Sequence, residues 1–249
     1  MKIQLVSFIV DLDSDIKIGI TADIINKSKS DLILFPGNTL DSINDGFELA
    51  DLIKNKNTTA LIEVHQLSIG DLNEEIIHCP FLIKKGQLIN MHTFQHFTTS
   101  ETIENNTFLA EAFVYELETR RQFEVNGYNC LVLQCGENNI LKNVQSDNNN
   151  VIIRIDDKSV ERRFRNVLKG SDIILNAIHQ PQPGNQNKLH KRREYLSLNG
   201  RIYLSTNNCK ELSPQARSIQ YAYYNGKELE NPIPFIDDNG RYMYRIYDF

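Results

Sequence analysis

The clearest chemical signal in the chain is the segment Asn129-Cys130-Leu131-Val132-Leu133-Gln134-Cys135-Gly136-Glu137. An apolar run stops at a cysteine, and a glycine and an acid follow. Such a run reads as a strand that delivers a thiol to a strand-to-turn junction, where a nucleophile is exposed. The reactive form is the thiolate, and an ordinary thiol with a pKa of about 8.5 is only slightly ionised at neutral pH. Cys135 therefore needs a partner. Glu137 lies two positions on. His179 follows a second apolar stretch at 172–176, and a cysteine–histidine pair activates a thiol. The plainer readings are a solvated turn acid for Glu137, a loop histidine for His179 and a small packing residue for Cys135. His92 and His96 are four apart, with His78 and Cys79 nearby. That spacing suits zinc only on one helical face. The region reads as strand and loop, so no metal site is expected. Gly-rich phosphate loops, a serine-hydrolase elbow and a dinucleotide fingerprint are missing from the sequence, and no cofactor is expected.

The elements that position these residues alternate. Residues 2–10 and 59–64 read as strands, as does 31–36, which stops at the turn signal Pro36-Gly37. Residues 15–28 and 41–56 between them read as helices, and strands alternating with helices predict βαβ units. Next comes a hairpin, 75–83 with 87–91 about Lys84-Lys85-Gly86. Residues 108–117 fit helix or strand. A second hairpin joins 121–125 to 128–134 at Asn126-Gly127. The polar, Asn-rich patch after Cys135, ending at 146–150, reads as a surface loop. Beyond it come a strand at 151–155, a helix at 158–169 capped by Gly170, the strand 172–176, a loop at 180–184 and a helix at 190–199. A strand at 201–206, a hairpin at 222–228 and an aromatic strand at 241–248 complete a single α/β domain over 1–249, with a mixed sheet or two sheets.

The chain has 249 residues, enough for a sizeable core. Its net charge of -5 argues against a general nucleic-acid binder, because nothing neutralises a phosphate backbone. The short basic cluster Lys188, Lys191, Arg192, Arg193 reads as a solvated face. No apolar run approaches the length of a membrane span, and no secretory leader pattern opens the sequence. Of the four cysteines, Cys130 and Cys135 share one strand and are poorly placed to bridge each other. A reducing cytoplasm is the expected compartment.

Four segments together resemble the nitrilase, or carbon–nitrogen hydrolase, superfamily. Residues 31–36 are similar to its apolar strand ending in phenylalanine-proline. Residues 81–97 resemble the hairpin leading to its lysine, and 123–137 the strand pair carrying its nucleophile, with Cys135 at the cysteine position. Residues 170–176 resemble its glycine-alanine-aspartate strand, and 199–204 the strand after that. The resemblance covers most of the chain. It implies an α-β-β-α sandwich with four layers, a Glu-Lys-Cys triad near the sheet ends, and pairing of two copies through a sandwich face. In that family a thiolate attacks an amide or nitrile carbon, a glutamate serves as base and a lysine stabilises the developing charge.

Two positions depart from the pattern. Gly37 stands where the glutamate follows phenylalanine-proline. Phe94 stands near the lysine position, and no lysine occurs between Lys85 and Lys142. Glu111 matches a second, supporting glutamate at most loosely. Losing a base costs about 10²–10⁴ in rate and losing a charge stabiliser about 10²–10³. The resemblance therefore implies a degenerate member that binds a small ligand or a partner in the former pocket. The alternative is a divergent thiol hydrolase of non-peptide carbon–nitrogen bonds, with Cys135 as nucleophile and a rebuilt base. It requires an acid or histidine, among Glu111, Glu137 and His179, within reach of Cys135.

Overall fold

Strands with both faces apolar must be covered on both faces, and that requirement builds this molecule. The computed structural model describes residues 1–10, 12–68, 75–147, 150–179, 186–212 and 219–249. β1 (Lys2–Phe8), α1 (Ser14–Lys27), β2 (Leu32–Leu34), α2 (Ile43–Leu52) and β3 (Thr59–Ser68) form two consecutive βαβ units with parallel strands. β4 (Glu75–Lys84) and β5 (Gln87–Asn90) add antiparallel strands to β3. After α3 (Ser100–Ile103) and α4 (Thr107–Thr119), β6 (Gln122–Val125) and β7 (Tyr128–Gln134) open the second sheet. A ribbon of β8 (Leu141–Val144) and β9 (Asn150–Ile153), then α5 (Lys158–Lys169), lead to β10 (Ile173–Ile178). α6 (Gln186–Leu196) connects it to β11 (Ile202–Asn207), and β12 (Gln220–Tyr224) and β13 (Lys227–Glu228) complete that edge. β14 (Phe235–Ile236) and β15 (Tyr242–Asp248) return to the first sheet.

Among the described residues the first sheet has the order β14-β15-β1-β2-β3-β4-β5 and the second β13-β12-β11-β10-β7-β6. Alternate residues of each strand point to opposite faces. Leu5, Leu34 and Leu61 meet Val132, Leu175 and Leu204 between the sheets. Their neighbours Val6, Ile33 and Ile62 pack outward on Ile18, Ile25 and Leu49 of α1 and α2. On the far side Leu131, Ile174 and Tyr203 pack on Phe113, Phe164 and Leu196 of α4, α5 and α6. The result is the expected α-β-β-α sandwich. No helix of the described residues is long and apolar enough to cross a membrane.

Local chemistry fixes the connections. Ser42 and Asp45 close a capping box at the start of α2. Asn126 and Gly127, both at positive φ, make the tight turn between β6 and β7. Residues 108–117 fall within helix α4, which buries Ala110, Phe113, Val114 and Leu117 on one face. The aromatic tail is an interior strand, with β15 lying between β14 and β1.

One expectation needs correction. The patch after Cys135 is not simply a loop: a 3₁₀ turn over Glu137–Ile140 runs into β8, which pairs with β9. Its polar residues mask Ile140 and Leu141, which are fully buried in the core under α4 and α5. Residues 148–149 of that patch, and the loop expected at 180–184, lie outside the described residues.

Gly136 sets the turn that ends β7. Its φ is +84°, and a Cβ there would fall 2.5 Å from the Thr98 carbonyl oxygen and 2.6 Å from Thr98 Cα. Both the left-handed backbone and the close approach demand glycine. Gly136→Ala is expected to lower stability by at least about 1 kcal/mol, read as a fall in Tm. An unchanged Tm would show that the turn relaxes freely.

Candidate functional site

The two strand ends that matter are neighbours. β7 and β10 run parallel, with Gln134 opposite Ala177. Cys135 directly follows β7 and His179 directly follows β10. This brings thiol and imidazole side by side, close enough for Cys135 to favour the charged form of His179. Asn176 pins the end of β7: its Nδ2 donates to the carbonyls of Leu133 (3.1 Å) and Gln134 (3.0 Å). Asn176 Oδ1 in turn accepts from Asn138 Nδ2 and Tyr203 Oη, both at 2.9 Å. The nucleophile candidate therefore sits on a backbone held by a buried polar network.

From the opposite sheet, β3 sends Glu63 into the same place. Its carboxylate is 1% exposed. Oε1 accepts from His179 Nε2 (2.6 Å) and the Asn38 backbone N–H (2.9 Å), and Oε2 from Gln134 Nε2 (3.1 Å). His78 Nδ1 lies 3.3 Å from Oε1. Burial by itself raises a carboxyl pKa, but the hydrogen bond from His179 and the His78 ring beside the carboxylate outweigh it and hold Glu63 well below the ordinary carboxylate range. Burial likewise works against charge on His179. The neighbouring Cys135 and the hydrogen-bonded Glu63 overcome it and raise the imidazole to about 10. At neutral pH the pair is carboxylate and imidazolium. His65, opposite His78 in the β3–β4 register, goes the other way: burial, then repulsion from His78, lowers it to about 4. Its Nε2 is hydrogen-bonded to Asn38 Oδ1.

Gly37 explains how His179 fits. Its N–H donates to the Ile178 carbonyl (3.0 Å), and its carbonyl accepts from Asn208 Nδ2 (2.6 Å). A Cβ on Gly37 would run into His179 Cδ2 and come 3.1 Å from the His179 backbone nitrogen. A side chain at position 37 and the observed imidazole are mutually exclusive.

The other sequence candidates lie in different settings. Glu137 is fully buried, but Arg121 takes both its oxygens (2.8 and 3.0 Å), and the backbone N–H groups of His96 and Gln134 complete its shell. Glu111 is an exposed residue of α4, 3.7 Å from Arg163. Phe94 is exposed, stacks on His96 and offers only its carbonyl to Arg121. His96 Nε2 lies 3.1 Å from Glu116, and His92 is exposed, so that pair is not a shared site.

Glu63, His78 and His179 each present a ligand atom within 4.8 Å of the others, a donor set that zinc accepts. The thiol and carboxylate already engage His179, so a metal would compete with the hydrogen-bonded triad for the same atoms. Glu63 escaped the sequence reading, and His78 entered it only beside His92 and His96 as a metal candidate. The available signal was an acid in the middle of the apolar strand Thr59-Ala60-Leu61-Ile62-Glu63-Val64, which has to find buried partners.

A cavity of about 30 Å³ opens beside Cys135, lined among others by Gly136, Asn138, Asn176, Arg192 and Arg193. The two arginines correct the reading of a solvated basic cluster. α6 packs on β8, β9 and β12, which turns both inward, 7% and 2% exposed. Lys191 remains at the surface, 2.8 Å from Glu194.

Comparison with known proteins places the fold. No protein-family model and no curated protein matches the chain. Among solved structures it is similar to a glutamine-dependent NAD(+) synthetase from Cytophaga hutchinsonii, at 12% identity and a TM-score of 0.54 over 99% of this chain. The match spans 43% of the synthetase. It is also similar to an amidase from Nesterenkonia sp., at 9% identity and a TM-score of 0.57, covering 99% of this chain and 90% of the amidase. A variant of that amidase, 10% identical to this chain with a TM-score of 0.57, shows covalent addition of the acetamide moiety of fluoroacetamide at its active-site cysteine; the match covers 99% of this chain and 90% of the variant. The likeness is one of fold: the α-β-β-α sandwich of this chain is the architecture it shares with these proteins.

The two pKa shifts give a pH signature. Glu63, depressed, contributes stability that is present above the ordinary carboxylate range and lost as pH falls through its folded value. His179, raised, contributes stability that is full below its ordinary 6.5 and lost as pH rises through about 10. The Tm difference between wild type and Glu63→Gln is expected to be widest near about pH 6 and to shrink steadily toward about pH 10. A gap that grows with pH would contradict the ion pair.

Proposed function

We propose that the chain is a thiol hydrolase of small non-peptide carbon–nitrogen bonds, acting through Cys135, His179 and Glu63. The observation that carries this reading is the His179 imidazole, set beside Cys135 by the β7–β10 pairing and hydrogen-bonded to the Glu63 carboxylate. It meets the requirement that the absence of Glu and Lys at Gly37 and Phe94 imposes, namely a rebuilt base.

The chemistry follows from the proton inventory. With His179 Nε2 on the carboxylate, Nδ1 is the ring nitrogen left to exchange a proton with the thiol. The Cys135 thiolate attacks the amide carbon, a C–S bond forms, and the carbonyl π pair moves to oxygen. As the tetrahedral intermediate collapses, the C–N bond breaks and the imidazolium gives its proton to the departing amine. Neutral His179 then takes a proton from water, whose oxygen attacks the thioester carbon. The C–S bond breaks, releasing the carboxylic acid and restoring thiolate and imidazolium. Glu63 holds the ring in one tautomer and stabilises its charge, the role of the third member of a triad. Glu137 and Glu111 have no part in it. The Nesterenkonia amidase, a cysteine enzyme of this fold, supports the nucleophile assignment. The chain's free cysteines suit a reducing compartment such as the cytoplasm.

A second reading, binding without turnover, draws on Gly37 and Phe94 standing where the family carries its glutamate and lysine. Ammonia release from a panel of small amides separates the two. Wild type is expected to release ammonia and to form a transient acyl adduct on Cys135 visible by intact mass. Cys135→Ser and His179→Ala are expected to lose at least about 10²-fold in kcat. No release and no adduct across the panel would leave the binding reading standing.

A further inference from the structure

Two buried arginines beside the thiol have no counter-charge among the described residues. Arg193 places its guanidinium 3.6 Å over the Tyr221 ring, and Nη1 donates to Gln186 Oε1 at 3.3 Å. Its Nε is buried without a hydrogen-bond partner. Arg192 donates to Asn143 Oδ1 (3.0 Å) and Asn139 Oδ1 (2.7 Å), both neutral amides. Burial, with Arg154 adding repulsion, pulls Arg192 down to about 10. Among the described residues neither guanidinium has a carboxylate partner.

The surroundings share that sign. Next to the thiol cavity lies a recess of about 220 Å³ that shares Asn139, Leu189 and Arg192 with it and adds Arg154 and Lys188. No acidic side chain lines either space. Arg154 is ion-paired to Glu104 at 3.1 Å through Nη1, with its Nε buried and without a hydrogen-bond partner. In a chain of net charge -5, this is a local concentration of cations leading to one cysteine. A buried cation without a counter-ion is costly, and the cost is recovered when an anion arrives. Arginine's planar fork suits a carboxylate, which it binds through two parallel hydrogen bonds.

We propose that the substrate carries a carboxylate, received by Arg193 and Arg192, while its amide carbon lies at Cys135. The inference rests on the hydrolase reading for the amide, and on the arginines alone for the carboxylate. The substrate class is then the monoamide of a short dicarboxylic acid, or a close relative with one anionic end. Neutral amides of the same length leave both buried guanidiniums without an anionic partner. A site built to pair a polar group rejects an analogue lacking it far more strongly than a missing methylene alone does.

The test compares matched pairs in which only the far end differs: malonamate with propionamide, and succinamate with butyramide. For at least one pair, wild-type kcat/KM is expected to favour the carboxylate by at least about a hundredfold. Arg193→Gln and Arg192→Gln are expected to reduce that ratio at least about tenfold. Calorimetry on Cys135→Ala reads binding without turnover, and the anionic amides should bind more tightly than their neutral partners. Equal turnover within each pair would overturn the carboxylate assignment and leave the hydrolase reading intact. Arginine-dependent binding of the anionic amides with no turnover of any amide would do the reverse. Neither binding nor turnover of the anionic members would overturn the carboxylate site. If an arginine variant fails to fold, the wild-type ratios and the Cys135→Ala binding data still decide.

Discussion

A single buried carboxylate organises the site. Glu63 sits between the two sheets with almost no exposure, and a charge so placed survives only if its partners are rigid. It draws them from four segments: the backbone of Asn38 after β2, Gln134 at the end of β7, His179 after β10 and His78 on β4. Each partner is itself fixed by sheet register or by a side-chain network. The sandwich, in other words, is what makes Glu63 tolerable, and Glu63 is what keeps His179 charged beside the thiol.

Gly37 and His179 form a coupled pair of changes. In the family this fold resembles, a glutamate follows the phenylalanine-proline. Here the absence of a side chain at Gly37 is the space His179 occupies. The carboxylate is supplied instead from Glu63 on the adjacent strand, reaching the thiol through an imidazole rather than directly.

Much of this was legible in the sequence. The strand–helix alternation gave the βαβ units, the Asn126-Gly127 turn gave the β6–β7 hairpin, and the apolar run into Cys135 gave the thiol at a strand end. His179 could be named but not joined to Cys135, because 44 positions separate them in sequence and only the parallel β7–β10 pairing brings them together. Glu63 was invisible for the same reason. An acid within an apolar strand signals buried partners without saying which, and these come from the other sheet as well as its own. The basic cluster misled because the polar character of α6 hides which side faces the protein. Arg192 and Arg193 are consecutive, and burying both takes packing against the β8–β9 ribbon, whose first strand read as loop.

The most direct test of the central claim is the rate of Cys135 alkylation by iodoacetamide as a function of pH, in wild type and in His179→Ala, with Cys135→Ser subtracting the other thiols. The account predicts rapid alkylation of wild type even near about pH 6, where an ordinary thiol is protonated. It also predicts that His179→Ala loses this reactivity and follows the curve of a simple thiol. If wild type and His179→Ala show the same ordinary profile, the imidazolium does not activate Cys135, and the proposed triad is wrong.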